Sequence, residues 1–375
     1  MKVLIDAYYN KNFGDDLLVY ELIHAFPSVE FHIPEDVSYA SVLANPKNAV
    51  FCGRILPSED NWLGRGRNKL RSFVGLPKKE ISSFFGTNDY DVYLQYGGSI
   101  FMQTTKKAWK NKVRDYRYII AHSRKSAVIG CNFGPYFSEE FRFSHRDLFR
   151  HFNFVTFRDS ASYNLFDELP NTAVAADVGL LANQYVSVQT DTDSDYYVVS
   201  PIDLSFRKQL RQCEPGYYRG MASLISEFYH QTNKKAILIS FCEGEGDLRA
   251  CETIRDIVLS NDEAVDLDIV CHERVDKTLS LLAQASWIVG CRFHAVMVGI
   301  SFGKPTLPIS YSKKIDNELD DLSYSGRVFH ISDTLNWSVH DVASEFLDSV
   351  QSVGVFRNTA VNHFNLFSKL LYQQL

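Results

Sequence analysis

The chain has 375 residues, 45% of them hydrophobic, and a formal net charge of −6 at pH 7. The length predicts two domains with buried cores, and the acidic balance argues against the overall basic character of nucleic-acid-binding proteins. The seven cysteines are odd in number and lack Cys-x-x-Cys spacing, which argues against a disulfide framework or zinc ribbon and favours reduced thiols in a cytoplasm.

Short apolar runs alternate with longer amphipathic ones along the chain. They predict strands at residues 3–7, 49–52, 92–95, 127–131, 154–157 and 172–175 and, after a polar break at 189–195, at 196–200, 236–241, 266–270, 287–289 and 306–309. Amphipathic stretches such as 217–231 and 248–260 predict helices between them. Because this alternation is typical of parallel sheets covered by helices, we predict two Rossmann-like α/β domains facing across a cleft, at 1–190 and 191–345.

Two glycine-containing turns follow strands of the first predicted domain. In the first, Gly14 permits an unusual backbone angle and Asp15 is a good N-cap. Asn12 and Asp15 carry hydrogen-bonding groups beside this turn and are candidates to bind a ligand, with helix capping alone as the alternative. In the second turn, Gly97 and Gly98 either let a ligand approach the backbone or form a tight turn without function. Neither turn is a dinucleotide fingerprint or a P-loop.

Charged residues follow other predicted strands. Arg158 can act as an anion clamp or form a salt bridge to Asp159 or Asp167. Glu243, Glu245 and Asp247 follow the strand that ends at residue 241, so one of them could orient a hydroxyl of a bound ligand. The alternative is that residues 243–246 form a solvated loop, which we favour for Glu245. No cluster of His, Cys and Asp has metal-ligand spacing, so no metal site is predicted.

Two basic stretches, residues 65–79 and 106–117, are interleaved with aromatic side chains. This pattern suits an anionic membrane surface or a lipid pyrophosphate, and a solvated helix face or loop is the alternative. The apolar run after residue 2 is too short for a secretory signal, and no apolar run approaches the ~20 residues that span a bilayer. We therefore expect a cytoplasmic protein with possible peripheral contact at the inner membrane.

The most informative segment begins at the predicted turn at Gly290. A helix follows this turn, and its first residues include Arg292 and His294. Peptide N–H groups at a helix start favour anions, Arg292 adds a fork for carboxylate or phosphate, and His294 changes charge near neutral pH. Lys313 and Lys314 follow the next strand, so these four side chains can converge on one anion. A structural histidine bonded to a nearby carbonyl is the alternative for His294.

The motifs together resemble the polysaccharide pyruvyl transferase family. The resemblance rests on Gly290 with the Arg292-Phe293-His294-Ala295 segment, on Gly303-Lys304-Pro305, and on Tyr311 with Lys314. Earlier elements occur in the family's order: Asn12 to Asp15, Gly97-Gly98-Ser99, Arg158-Asp159 with Ser162, and Asp177. They span most of the chain.

This resemblance implies a fold like that of the GT-B glycosyltransferases, with a C-terminal helix in residues 346–375 that crosses back to the first domain. It also implies transfer of pyruvate from phosphoenolpyruvate to two sugar hydroxyls, without a cofactor. His294 would be the general acid and base, while Arg158, Arg292, Phe293 and Lys314 would bind phosphoenolpyruvate. The acceptor sugar would meet a set of residues from both domains: Asn12, Gly14, Asp15, Gly97, Gly98 and Glu243.

The expected setting is bacterial surface or capsular polysaccharide biosynthesis, with a polyprenyl-pyrophosphate-linked acceptor. Two alternatives remain open. One is a GT-B glycosyltransferase that uses a nucleotide sugar, and the other is a non-catalytic carbohydrate-binding homologue.

Overall fold

The computed structural model describes residues 1–53, 90–185, 194–205, 207, 209–349 and 359–373. The chain divides into two compact units. The first contains Met1–Tyr9, Leu22–Val178 and Thr359–Leu375, and the second contains Asn10–Glu21 and Gly179–Asn358. The boundary thus falls near residue 178 instead of 190, and most of the predicted linker lies outside the described residues.

Within its described part, the first unit is built on a seven-stranded parallel sheet of order β3-β2-β1-β4-β5-β6-β7. Its strands are β1 Lys2–Asp6, β2 Glu30–Ile33, β3 Ala49–Phe51, β4 Val92–Tyr96, β5 Lys125–Cys131, β6 Phe154–Phe157 and β7 Thr172–Val174. The helices of this unit are α2 Lys106–Ala121, α3 Glu139–Phe149, α4 Ser160–Tyr163 and α12 Val361–Tyr372. A 3-10 helix spans Val37–Ser41. All the predicted strands of this half are confirmed to within two residues, and β2 is an additional one.

Aromatic rings fill the core of the first unit. The ring centres of Phe133 and Phe166 lie 4.8 Å apart and those of Phe101 and Phe149 lie 5.0 Å apart, both in edge-to-face geometry. Such pairs add to the free energy that burial of the rings contributes. Much of the high aromatic content therefore serves ordinary packing.

The C-terminal helix α12 belongs to the first unit. Its His363 is fully buried, with Nδ1 2.7 Å from the Thr156 hydroxyl and Nε2 3.0 Å from the Ala176 carbonyl. Burial lowers the pKa of His363 to about 4, so the ring is neutral at pH 7. In this form Nε2 donates to the carbonyl and Nδ1 accepts from the hydroxyl.

The described part of the second unit contains a six-stranded parallel sheet of order β10-β9-β8-β11-β12-β13. The strands are β8 Tyr196–Ser200, β9 Lys235–Ser240, β10 Leu267–Cys271, β11 Ile288–Gly290, β12 Thr306–Ser310 and β13 Phe329–His330. Its helices are α5 Ala182–Tyr185, α6 Glu214–Thr232, α7 Asp247–Asn261, α8 Val275–Gln284, α9 Phe293–Ser301, α10 Lys313–Asp321 and α11 Val339–Ser349. The predicted strands of this half are confirmed, and the two-residue β13 is an additional one.

Helix α1, Phe13–Ala25, begins in the second unit and ends in the first. The Phe13 amide donates to the Phe241 carbonyl at 3.1 Å, and its ring lies 4.5 Å from the Phe241 ring. These contacts explain why residues 10–21 belong to the second unit, although the sequence placed them in the N-terminal domain.

Candidate functional site

The turn after β11 has the predicted form of strand, glycine and helix. A Cβ atom on Gly290 would lie 2.7 Å from the Val296 side chain, so the tight turn requires glycine. The Cys291 amide donates to the Ser200 carbonyl at 3.0 Å, which ties the turn to the neighbouring strand β8. Arg292 is the N-cap residue of α9, and His294 lies in the first turn of that helix.

Arg292 is buried between two carboxylates. Its Nε donates to Asp247 at 2.8 Å, its Nη2 donates to the other Asp247 oxygen, and its Nη1 donates to Glu245 Oε2 at 2.7 Å. Burial opposes the charge of Arg292, but the two carboxylates outweigh it and raise its pKa. Glu245 is therefore ion-paired, and our expectation of a solvated loop residue was wrong.

Asp247 is the fixed partner of Arg292. Its side chain is fully buried and also accepts hydrogen bonds from the amides of Phe241 and Cys242, at 3.2 and 3.0 Å. Burial raises the pKa of Asp247 above its ordinary value, and Arg292 opposes that rise. This network holds the end of β9 against the start of α9.

A second arginine, Arg207, approaches the same place. Its Nη2 donates to Glu245 Oε2 at 3.2 Å, and its guanidinium lies 4.8 Å from the centre of the Tyr311 ring. Arg207 belongs to no motif recognised in the sequence and lies in the loop after β8. The only available signal was its position beyond the carboxyl end of a parallel strand.

His294 lies directly against Gly14. A Cβ atom on Gly14 would be 1.9 Å from His294 Nδ1, so the chain can pass the imidazole only with glycine at that position. Asn12 Oδ1 accepts a hydrogen bond from the Gly14 amide at 3.3 Å, and Asp15 is partly buried next to it. The second unit thus brings two motifs that are far apart in sequence into contact.

Phe293 lies beside His294, and Lys314 lies against Phe293. Phe293 is buried, its ring centre is 5.0 Å from that of His294, and Lys314 Nζ is 4.8 Å from the same Phe293 ring. Lys314 follows β12, the strand next to β11, as the sheet order predicts. Glu243 is exposed on the 3-10 turn Glu243–Glu245 that also carries the partner of Arg292.

A buried pair, His272 and Asp16, connects the residue after β10 to the start of α1. His272 Nε2 is 3.2 Å from Asp16 Oδ2, its Nδ1 is 2.8 Å from the Thr278 hydroxyl, and both side chains of the pair are at most 1% exposed. His272 was not among the predicted site residues, although its position directly after β10 was a signal.

The remaining predicted residues lie in the first unit, where Asn132 links Gly98 to Arg158. Gly97 and Gly98 both have left-handed backbone angles, with φ of 72° and 64°, and the Gly98 carbonyl accepts from the Asn132 amide at 3.2 Å. Arg158 donates to the Asn132 side chain at 2.9 Å and to Asp177 at 2.8 Å. The Arg158 side chain is fully buried and forms an ion pair with Asp177.

In the parts of the chain that the structure describes, no group of three His, Cys, Asp or Glu side chains is arranged to hold a metal ion. In the same residues, no helix is long and apolar enough to cross a bilayer.

Comparisons with known proteins identify the family of this chain and its fold. A family model described as polysaccharide pyruvyl transferase matches residues 12–313. Among solved structures, the chain is similar to a putative UDP-N-acetylglucosamine 2-epimerase from Listeria monocytogenes, with a TM-score of 0.62, 10% identity and coverage of 98% of this chain and 95% of that chain.

Two other similar structures were solved with ligands. The UDP-GlcNAc 2-epimerase from Neisseria meningitidis bound to UDP-GlcNAc has a TM-score of 0.61, 10% identity and coverage of 99% of this chain and 100% of that chain. Anabaena Alr3699/HepE in complex with UDP-glucose has a TM-score of 0.55, 13% identity and coverage of 100% and 96%. These similarities confirm the predicted GT-B-like fold.

Proposed function

The chain belongs to the polysaccharide pyruvyl transferase family, and on that premise we propose that it transfers pyruvate from phosphoenolpyruvate to two hydroxyls of a sugar. The product is a cyclic ketal on a precursor of a bacterial surface or capsular polysaccharide. The observation that supports this most is the contact between Gly14 and His294, which joins the family's first loop to its C-terminal segment.

His294 is proposed as the general acid and base. It protonates the methylene carbon of phosphoenolpyruvate, and the first sugar hydroxyl adds to the neighbouring cationic carbon and returns its proton to His294. Phosphate then leaves, the second hydroxyl closes the ketal, and its proton departs with the phosphate. Proton transfer by a positioned side chain contributes roughly 10²- to 10⁴-fold to a rate.

The other roles follow from charge and position. Arg292, Lys314 and the Phe293 amide at the start of α9 are proposed to bind the carboxylate and phosphate of the donor, since helix starts and cations favour anions. Arg158 of the first unit remains a proposed donor-binding residue, although it is fully buried against Asp177.

The residues proposed to bind the acceptor sugar are Asn12, Gly14, Asp15 and Glu243 of the second unit and Gly97 and Gly98 of the first. In the structure Asn12 Oδ1 accepts from the Gly14 amide, so this oxygen would share that bond with a sugar hydroxyl or exchange it. No redox cofactor is needed in this scheme, because the ketal product is at the same oxidation level as the enol phosphate donor.

The reaction class is tested by mass spectrometry of lipid-linked sugars after incubation with phosphoenolpyruvate. The expected product has gained one pyruvate with loss of one water, with release of one equivalent of phosphate. His294→Ala should abolish this product while keeping its circular dichroism spectrum, and His24→Ala, at an exposed position of α1, should not change it. Normal turnover in folded His294→Ala protein would remove histidine from the mechanism.

The alternative functions give different results in the same assays. Several similar structures contain UDP or a UDP-sugar, so a glycosyltransferase that uses a nucleotide sugar is the second candidate. Stabilisation by UDP-glucose but not by phosphoenolpyruvate in a thermal shift assay would favour it. Absence of transfer from either donor to any glycan acceptor would favour a carbohydrate-binding homologue.

We also propose peripheral contact with the inner membrane face, where a polyprenyl-pyrophosphate-linked acceptor would be found. The second basic stretch forms most of α2, with Lys106, Lys107 and Lys110 exposed, and the loop before α3 carries Phe137 with 81% exposure. Lys106 and Lys110 also form ion pairs with Glu140, which lowers the net positive charge of this surface. The first basic stretch lies outside the described residues. Basic residues beside an exposed aromatic ring suit an anionic lipid surface.

A further inference from the structure

Arg292 is the proposed donor-binding arginine, yet its charge is already balanced in the structure. Asp247 takes two of its N–H groups and Glu245 takes a third. An incoming anion can gain full access to this guanidinium only if one carboxylate withdraws. The structure distinguishes which one that is.

The two carboxylates differ in how firmly they are held. Asp247 is fully buried, binds Arg292 through both oxygens and also accepts from two backbone amides. Glu245 has a side chain that is 36% exposed, and it lies on a short 3-10 turn that ends at Gly246 with a left-handed φ of 80°. Asp247 is therefore built into the unit, whereas Glu245 can move into solvent by a local change of the turn.

Glu245 also connects two arginines through a single atom. Its Oε2 accepts from Arg292 Nη1 at 2.7 Å and from Arg207 Nη2 at 3.2 Å. A phosphate or carboxylate oxygen prefers the same arrangement, in which guanidinium N–H groups converge on it. The two arginines lower the pKa of Glu245 although burial opposes them, so the carboxylate is charged at neutral pH.

Arg207 is held ready for this role by other contacts. Its Nη1 donates to the Asp203 carbonyl at 2.8 Å, and its guanidinium packs on the Tyr311 ring. These bonds do not involve Glu245, so Arg207 can keep its place when the carboxylate leaves. Stacking on an aromatic ring leaves the N–H edge of a guanidinium available for an anion.

We propose that Arg207 is a second donor-binding residue and that Glu245 occupies the Arg292–Arg207 anion site until the phosphate or carboxylate group of the donor displaces it. This inference rests on the proposed function for the identity of the donor. Displacement changes the net charge of the Arg207, Arg292, Asp247 and Glu245 cluster from zero toward positive, and the bound anion restores the balance.

The proposal predicts that Glu245→Gln binds an anion more tightly than the wild type does. Glu245→Gln keeps the length of the side chain and one acceptor oxygen but removes the competing charge. If Glu245 must be displaced, this variant should bind inorganic phosphate about 5- to 10-fold more tightly than the wild type, the effect of losing one or two partly exposed ion pairs. If Glu245 instead helps to bind the anion or only stabilises the fold, binding should stay the same or weaken.

The experiment is isothermal titration calorimetry of the full chain with inorganic phosphate and, separately, with phosphoenolpyruvate. Arg207→Gln should weaken phosphate binding about fivefold or more, because one charged hydrogen-bonding partner is lost. Glu252→Gln, an exposed position of α7, makes the same charge change and should leave phosphate affinity within twofold. If Arg207→Gln does not fold, Glu245→Gln decides the matter alone.

The outcomes separate this inference from the proposed function. Unchanged or weaker phosphate binding by Glu245→Gln overturns the displacement, even in an enzyme that transfers pyruvate. Tighter phosphate binding supports it, even if no acceptor becomes pyruvylated. Unchanged phosphate binding by folded Arg207→Gln removes Arg207 from the site.

Discussion

Substitution of Gly14 by alanine tests the contact on which the proposed site depends. The new Cβ atom would lie 1.9 Å from His294 Nδ1 and 2.7 Å from two ring carbons. An ordinary contact begins near 3.4 Å, so the ring or the loop must move by about 1.5 Å. A displacement of about 1 Å at a reacting group can lower a rate about 100-fold, and we expect a loss of at least that size in kcat/KM.

Whether Gly14→Ala raises or lowers the free energy of unfolding depends on His294. Gly14 lies in the first turn of α1 and has an ordinary backbone angle, so alanine by itself should stabilise the helix by up to ~1 kcal/mol. In the wild-type background the overlap should reverse this gain and lower the free energy of unfolding by about 1–2 kcal/mol. In the His294→Ala background, where the ring is gone, Gly14→Ala should be neutral or stabilising.

The assays are phosphate release for activity and urea denaturation for stability, applied to both single variants and the double variant. The reversal of sign between the two backgrounds is the decisive result, because a general effect of alanine on α1 would be equal in both. Wild-type activity and stability in Gly14→Ala would refute the contact between this loop and the imidazole.

Three further predictions concern other parts of the molecule. Asp177→Asn breaks a fully buried ion pair and should lower the free energy of unfolding by about 3–5 kcal/mol in urea denaturation, whereas Asp167→Asn at an exposed site should change it by less than about 0.5 kcal/mol. Burial lowers the pKa of His363 to about 4 in the folded protein, below its value of ~6.5 in the unfolded chain. The free energy of unfolding should therefore fall by up to about 3 kcal/mol as the pH drops from ~6.5 to about 4. His363→Gln should lose this slope, and an unchanged slope would contradict the assignment. Phe137→Ala should weaken sedimentation with phosphatidylserine vesicles about tenfold, while Val37→Ala, at a similarly exposed apolar position, should not; equal binding of both variants would argue against the lipid surface.

The sequence predicted the fold well because the fold rests on local patterns. Buried parallel strands appear as short apolar runs, and nearly all of them were placed within two residues. Strand β2, Glu30–Ile33, escaped because only alternate residues are apolar and the run is four residues long. The two-residue β13 is too short to give any periodic signal.

The candidate site was predicted as a set of positions but not as a set of contacts. Arg292 and His294 were recognised from the turn that carries them, because a glycine, an arginine and a histidine at a helix start form a local pattern. The ion-pair partners of the two arginines were not recognised. Asp247, which pairs with Arg292, and Asp177, which pairs with Arg158, come from other elements, and the sequence does not distinguish them from acidic residues nearer to each arginine. Ion pairs between distant elements depend on the sheet order, which a single sequence does not reveal.

The path of the chain has a consequence for the order in which this protein matures on the ribosome. Residues 10–21 are synthesised more than 200 residues before their partners Phe241 and His272. The first unit in turn receives helix α12 only after the whole second unit has been synthesised. Neither unit is therefore an independent product of one continuous stretch, and a gene cut between residues 178 and 179 would leave each half without a segment that the other half encodes.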